Sequence, residues 1–400
     1  MIVICGGGIL GLSIARKLLE KGADEITIIE KEKDLGVHAS GRNSGVLHAG
    51  IYYTPDSLKA RFCLKGNLLM REYCKEKGIP ILETGKVIVT KSESEIQVLK
   101  ELYNRALRNG ARVELVDESG VKEIEPYART VELALYSPLT AVVNPIKILE
   151  AIEKELTESG KVKILKGVKF EKLKSSKEIL TNRGSLRFET FINCGGAYAD
   201  RIAHEFGVGL KYRIIPFKGT YKKLKKEKRY LVRGNIYPVP DIRNPFLGVH
   251  FTKSYNGDVY IGPTAIPALG RENYGLLRDI DREALKILWQ DAYLFFVNEK
   301  FRNVALTEPR KYLDRFFFKD IEPMVEGLSI EDIEPSDKVG IRPQLVDWEK
   351  KELVMDFLVI KEGNSVHILN AISPAFTSAF AFSEYVVNNY ILQEVRRNAL

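Results

Sequence analysis

The chain opens on Met1-Ile2-Val3-Ile4-Cys5, an unbroken apolar run rich in β-branched residues, the pattern of a parallel strand buried on both faces. Gly6-Gly7-Gly8-Ile9-Leu10-Gly11 follows, and then Leu12, Ile14, Ala15, Leu18 and Leu19 recur at helical spacing until Lys21-Gly22 stops the helix. Residues 25–29 predict a second strand that ends in Glu30. Beyond this unit the periodicity predicts helices over 57–77 and 93–109, strands over 86–90 and 112–116, and a helix from Asn144-Pro145, cap and first turn, to Ser159-Gly160. Strands over 162–165, 168–173, 177–180 and 186–188 lead to an apolar strand at 190–194 that runs into Gly195-Gly196. Residues 212–265 read as antiparallel strands between Pro and Gly breaks, and 275–335 switch to helical signals. Strands over 353–360 and 365–369 and a helical run from Ser378 complete the pattern.

Strand, glycine turn, helix, strand, acid is a dinucleotide-binding arrangement. Gly6 permits the tight turn, Gly8 lets the backbone approach a pyrophosphate, and Gly11 allows close helix packing, while the helix start offers unpaired N–H groups. Glu30 stands 24 residues after Gly6, placed to accept ribose hydroxyls and to repel a 2′-phosphate. The motif alone leaves NAD and FAD both open.

Composition narrows the class. Four hundred residues, 45% hydrophobic and 28% charged, make a folded chain of two or three structural units. No window approaches a membrane span, and the N-terminus shows no secretory signal pattern, so a cytoplasmic protein is expected. The net charge of +8 is dispersed, which argues against nucleic acid. The densest basic run, 222–229, reads as a solvated hairpin turn. Cys5, Cys63, Cys74 and Cys194 form no C-x-x-C pair, so neither a metal site nor a disulfide framework is expected. Gln is scarce beside Lys, Glu, Arg and Ile, a habit of thermophile proteins.

The segment 39–53 is rich in glycine and small donors, with Arg42, Asn43, Ser40 and Ser44 close together, suited to a pyrophosphate and a polar ring edge. Gly41-Arg42-Asn43-Ser44-Gly45-Val46-Leu47-His48-Ala49-Gly50-Ile51-Tyr52-Tyr53 resembles the FAD-dependent D-amino-acid oxidase superfamily, and within it the L-2-hydroxyglutarate oxidase/dehydrogenase family. Ser57-Leu58-Lys59-Ala60-Arg61-Phe62-Cys63, Phe246 to Thr252, Gly340-Ile341-Arg342-Pro343-Gln344 and Ser373 to Ser378 carry the same likeness over nearly the whole chain.

The resemblance implies an α/β fold: a Rossmann-like FAD-binding domain (1–80, 145–210 and 336–400) with an inserted substrate domain of antiparallel sheet and helices (81–144 and 211–335), its helical insertion at about 275–335. It implies noncovalent FAD held by Gly6, Gly8, Ile9, Leu10, Gly11, Glu30, Lys31, Ser40, Arg42, Asn43, Ser44, Val168, Gly195, Gly196, Pro374, Ala375, Phe376 and Thr377. His48 is the expected base that removes a hydroxyl proton, with His250 to orient the hydroxyl or to exchange roles with it. Arg342 is expected to hold the substrate carboxylate in a bidentate fork. Position 343 is Pro where the family more often has Ala. Tyr53, Arg61, Lys218 and Arg271 are further substrate-binding candidates, the last three for a distal carboxylate.

The implied activity is oxidation of a small anionic 2-hydroxy acid, L-2-hydroxyglutarate to 2-oxoglutarate, with quinone or oxygen as electron acceptor. The alternatives are a glycerol-3-phosphate or amino-acid oxidase, and a non-catalytic flavin-binding subunit. Aromatic and basic residues alternate over 285–319 (Trp289, Tyr293, Phe295, Phe296, Phe301, Tyr312, Phe316, Phe317 and Phe318 among Lys and Arg), which raises two readings: helices packed on the substrate domain, or peripheral contact with an anionic membrane.

Overall fold

The computed structural model describes residues 1–241, 246–275, 280 and 283–392. Residues 276–279 and 281–282 of the expected helical insertion, and 393–400 of the expected FAD-binding stretch, lie outside the described residues.

The opening run forms β1, Ile2–Cys5, followed by α1, Ile9–Glu20, and β2, Ile26–Glu30. β1 lies between β2 and Thr190–Asn193, parallel to both, with Ile2 opposite Ile26 and Thr190. The sheet extends through Val162–Lys166 on one side and through Ser365–Asn370 and the antiparallel edge strand Leu358–Glu362 on the other, six strands in all. Burial on both faces explains why β1 is apolar throughout. Gly6 follows it at φ +115°, and a Cβ there would lie 2.3 Å from the carbonyl oxygen of Cys194. At Gly11 a Cβ would meet the Gly6 carbonyl at 1.9 Å, so α1 packs at a distance only glycine allows. The helix Ala375–Val386 and α2, Leu58–Glu76, pack with α1 around one core that includes Leu12, Ile14, Met70, Phe380 and Phe382.

A second, ten-stranded sheet stands over the first. Its strands are drawn from 86–137, 212–267 and 333–353, and its long pair is Tyr212–Leu224 against Ile333–Asp347, antiparallel. That pairing places residues 336–347 in the larger sheet and not in the nucleotide-binding sheet, where the expected boundary had put them. The expected strand over 353–360 is likewise two: Glu352–Leu353 pairs with Ile333–Asp347, and Leu358–Glu362 joins the six-stranded sheet. The basic run 222–229 is not a hairpin turn. Its first residues end the strand Tyr212–Leu224, and Lys226–Leu231 forms a 3-10 helix. The next strand, Asn235–Pro238, pairs with His250–Lys253 and Lys86–Val89, so the chain crosses the sheet there. Lys222, Lys223, Lys228 and Arg229 each find a carboxylate, in Asp314, Glu334, Asp332 and Asp258.

Among the described residues of the helical stretch, Ala284–Val297, Glu299–Thr307 and Asp314–Ile321 are α-helices. Phe301 and Phe317 are 1% exposed core residues, whereas Leu285, Leu288, Trp289 and Phe296 stand in solvent. No described helix is long and apolar enough to cross a membrane.

Candidate active site

A cavity of about 320 Å³ runs between the two sheets. One wall is Gly8, Ile9 and Leu10 from the start of α1, together with Ser40, Arg42, Asn43 and Ser44; another is the start of the helix Ala375–Val386, with Pro374, Ala375, Phe376 and Thr377. The roof comes from the larger sheet: Tyr221, Tyr237, His250, Gly340 and Arg342. His48 lines it from the segment after the short strand Val46–Leu47. Sequence positions from 8 to 377 thus converge on one volume, with all three expected chemical residues, His48, His250 and Arg342, on its lining.

Local structure explains the cofactor wall. α1 starts at Gly8 with no side-chain cap, and the amide of Ile9 donates to Ser40 Oγ at 3.0 Å. A Cβ on Gly8 would lie 2.8 Å from that same Oγ, so the wall there is bare backbone at a positive helix end, the chemistry a pyrophosphate requires. Glu30 ends β2 with its carboxylate accepting from the amides of Gly7 at 2.8 Å and Glu32 at 2.9 Å, which fixes it beside the glycine turn. The helix Ala375–Val386 follows Pro374 as its cap residue with no side-chain cap; the Ala375 amide donates to Ile372 O at 3.0 Å, which leaves those of Phe376 and Thr377 at the cavity. It starts three residues earlier than the Ser378 expected from periodicity, because Ala375, Phe376 and Thr377 already belong to its first turn. Two helix starts, bare glycine backbone and a carboxylate at the strand end fit a flavin dinucleotide, whose pyrophosphate would lie at the start of α1, ribose at Glu30 and pyrimidine side at the amides of Phe376 and Thr377.

Several expected cofactor residues on or near this wall spend polar side-chain atoms on the protein itself. Asn43 spends its side chain within its own segment, donating to Ser40 O at 2.7 Å and accepting from Gly45 N at 2.8 Å. Arg42 donates from Nε to Val37 O at 2.7 Å and lies over the Tyr274 ring at 4.1 Å. Ser44 Oγ accepts from Val46 N at 3.3 Å. Gly6 and Gly11 shape the turn, Gly196 lines the cavity, and Gly195 donates its amide to Asn193 Oδ1 at 3.0 Å. Val168 donates its amide to Glu30 O at 2.8 Å and is packed with Ile29 and Phe191, away from the lining. Lys31 Nζ is held by Glu272 at 2.6 Å and by Glu32 and His38, so its ammonium ties the strand end to the second domain.

His48 and His250 are buried, and Arg342 is half-buried. His48 is 9% exposed; burial, with the nearby Lys86 and His250, holds its imidazole well below the usual pKa. Its amide donates to Thr377 Oγ1 at 3.2 Å, and its carbonyl accepts from Asn67 Nδ2 at 3.0 Å, so α2 and the C-terminal helix fix it from both sides. His250 shares a 2.8 Å hydrogen bond between Nδ1 and Gly248 O and stacks on Tyr237; burial brings its pKa down to about 3. A ring nitrogen facing a carbonyl must carry the proton, so Nδ1 donates and Nε2 is left bare. Arg342 lies over the Phe246 ring at 5.0 Å, and its Nε, buried, has no hydrogen-bond partner. Burial lowers its pKa to about 10, still cationic at neutral pH. A half-buried cation whose Nε is enclosed and unpartnered calls for an anion.

The distal-carboxylate candidates are not on the cavity. Arg271, 6% exposed, grips Asp200 through both terminal nitrogens, at 2.6 and 3.0 Å, and Glu283 through Nε at 2.8 Å. Lys218 alternates with the lining residues Phe217 and Gly219, so its side chain turns to the opposite face and donates to Asn273 Oδ1 and Gly275 O. Arg61 is exposed on α2 over Phe62 and Tyr385. Tyr53 stands just behind the lining, among Tyr52, Cys63, Arg342 and Ser373. Residues the sequence did not single out also reach the cavity: Tyr237, Thr264 and Glu308, the last clamped by Lys311 at 2.5 Å. Their only signal was membership of strand-like or helical runs.

Comparison with known proteins identifies the family. The chain is 38% identical over 420 residues to mitochondrial L-2-hydroxyglutarate dehydrogenase of Bos taurus, covering 97% of this chain and 88% of that one. It is 35% identical over 391 residues to L-2-hydroxyglutarate dehydrogenase of Indibacter alkaliphilus, covering 95% and 96%. Among solved structures, dithionite-reduced L-alpha-glycerophosphate oxidase from Mycoplasma pneumoniae with FAD bound superposes with TM-score 0.74 at 21% identity, over 97% of this chain and 94% of that one. L-proline dehydrogenase from P. horikoshii gives 0.69 at 18%, over 97% and 92%. Residues 1–388 match the FAD dependent oxidoreductase family, and the chain belongs to that family.

Proposed function

We propose that this flavoenzyme oxidises the alpha carbon of a small 2-hydroxy acid, L-2-hydroxyglutarate to 2-oxoglutarate, with noncovalent FAD. One observation carries the reading: a half-buried arginine whose enclosed Nε has no partner shares a cavity with two buried, neutral histidines, beside a wall suited to a dinucleotide. The similarity to L-2-hydroxyglutarate dehydrogenases over nearly the full chain supports the choice of acid.

FAD, when bound, supplies the hydride acceptor. Arg342 binds the carboxylate next to the reacting carbon and so fixes its orientation. His48 takes the hydroxyl proton at Nε2, because its low basicity when buried keeps it unprotonated and ready. His250, with Nδ1 donating to Gly248 O, offers Nε2 as an acceptor that orients the hydroxyl. The aromatic roof of Tyr237, Phe246 and Tyr221 excludes water.

Electrons then pass to a quinone at a membrane surface, with oxygen as the competing acceptor. The helix Ala284–Val297 supports this docking: Leu285, Leu288, Trp289, Ala292 and Phe296 are exposed at spacings of one helical face, with Lys286 and Lys300 also exposed. Anaerobic flavin bleaching by L-2-hydroxyglutarate, D-2-hydroxyglutarate, glycerol 3-phosphate, L-lactate, proline and sarcosine tests the activity. Fastest bleaching by L-2-hydroxyglutarate is expected, and bleaching by another member alone overturns the assignment.

A further inference from the structure

Lys86 opens the strand Lys86–Val89 and is 1% exposed, yet no carboxylate pairs with it among the described residues. Its Nζ lies 3.5 Å from Nδ1 of His48, over the Tyr237 ring at 4.2 Å and the Tyr52 ring at 5.1 Å. The titratable groups around it are His48, Tyr52, Cys63, Tyr237 and His250. None of them supplies a negative charge at neutral pH: burial pushes the Cys63 thiol up to about 12 and raises both phenols, and it keeps both histidines neutral. A lysine so enclosed is unexplained by packing alone.

We propose that Lys86 is the positioning residue and proton partner of His48, its neutral amine accepting the Nδ1 proton so that Nε2 is the bare nitrogen turned to the cavity. The inference rests on the reading of His48 as the base. Burial lowers the ammonium of Lys86 to about 7, so a large share is neutral amine above that pH. In the reaction the substrate O–H bond breaks and Nε2–H forms, while Nδ1–H breaks and Nζ–H forms. The proton thus ends on Lys86, the electron pair of the O–H bond stays with the oxygen that becomes the carbonyl, and His48 returns to neutral. Buried His48 is a poor place to store a proton; the amine between two aromatic faces is a better one, because both rings attract the resulting ammonium. The 3.5 Å separation is long for a hydrogen bond, as catalytic contacts often are before substrate binds.

The FAD-loaded protein carries five histidines, few enough to follow by 15N NMR. With 15N-histidine, and the His48 signals assigned by their loss in His48→Asn, His48 is expected as the Nδ1–H tautomer at pH 8. Lys86→Arg, whose guanidinium stays cationic and can only donate, is expected to force the Nε2–H tautomer. In the same variant the rate of flavin reduction should fall about 100-fold and lose the limb near pH 7 that the wild type shows. An Nε2–H tautomer in the wild type overturns the proposal, as does an Arg variant that keeps both the wild-type tautomer and the pH limb. If Lys86→Arg does not fold, the wild-type tautomer decides alone. If the tautomers are as expected but no 2-hydroxy acid bleaches the flavin, the substrate reading fails and the Lys86–His48 pairing stands.

Discussion

The side-chain amide of Asn67 donates to the carbonyl oxygens of both Leu47 and His48, at 3.1 and 3.0 Å. Asn67 is completely buried on α2, it also reaches Leu139 O at 3.1 Å, and its Oδ1 accepts from Arg71 Nε at 2.7 Å. It therefore decides where the backbone of His48 lies. Asn67→Ala removes the amide from all three carbonyls; Leu139 O keeps Arg71 Nη2 at 2.8 Å and His48 O keeps only the weak Cys63 Sγ contact at 3.4 Å, a loss of ~1–3 kcal/mol. We expect a lower melting temperature and slower flavin reduction with FAD still bound. Unchanged melting by calorimetry would show that water replaces the amide.

Arg342→Lys is expected to keep FAD and to lower kcat/KM about 10- to 100-fold, mostly through KM. A point charge cannot reproduce a fork worth ~1.5–3 kcal/mol in charge-assisted hydrogen bonds. Wild-type steady-state kinetics in this variant would remove Arg342 from the site.

His48→Asn should depress the rate of flavin reduction by ~10²–10⁴ while substrate binding changes little, the range general base catalysis supplies. His250→Asn should act more on binding. Stopped-flow reduction under anaerobic conditions measures both, and the opposite pattern would exchange the two roles.

Buried basic groups give stability a definite pH slope. Burial depresses His48, His250 (to about 3) and His367 (to about 4) in the folded chain, so between those values and ~6.5 the unfolded chain binds more protons. Stability therefore rises with pH in that window and is lost as pH falls below ~6.5. Lys59 and Lys86, depressed to about 7, extend the rise toward ~10.4. The melting temperature of the apoprotein should be lower at pH 5 than at pH 8, and a flat profile would contradict the burial of these groups.

Phe317, 1% exposed, packs with Ile321, Met324 and Val87, so Phe317→Asp is expected to unfold the second domain and says nothing about membranes. Trp289→Glu and Phe296→Asp, at 60% and 77% exposure, test the surface instead. Both should leave the melting temperature within about a degree, as surface substitutions do, and should weaken salt-sensitive co-sedimentation with anionic liposomes. Absence of wild-type binding at low salt would remove the membrane proposal.

The opening unit was legible because its information is local: glycine spacing, helical period and terminal acid all lie within 30 residues. Arg271 and Lys218 could not be read in this way. Their partners, Asp200, Glu283, Asn273 and Gly275, are chosen by a tertiary arrangement that places two domains side by side, and a cation in a strand reads the same whether it meets substrate or protein. Lys86 was hidden more completely, since a polar residue at the start of Lys-Val-Ile-Val looks like the solvent end of a strand. The crossing of the chain after Leu224 was missed for a related reason: basic runs between strands suggest turns, but pairing partners are set by the whole sheet.

The six-stranded sheet is assembled from three separated stretches, and its last central strand, Ser365–Asn370, is followed at once by the helix whose start lines the cavity. On a ribosome, which releases ~5–20 residues per second, the first glycine turn emerges long before the residues that complete its pocket. On the proposed placement of the cofactor, a nascent chain can present the pyrophosphate turn early but cannot enclose the ring until Pro374 to Thr377 have appeared. Cofactor loading is then expected late in biosynthesis, and ribosome-stalled chains ending before residue 370 should bind FAD no better than free α1–β2 peptide.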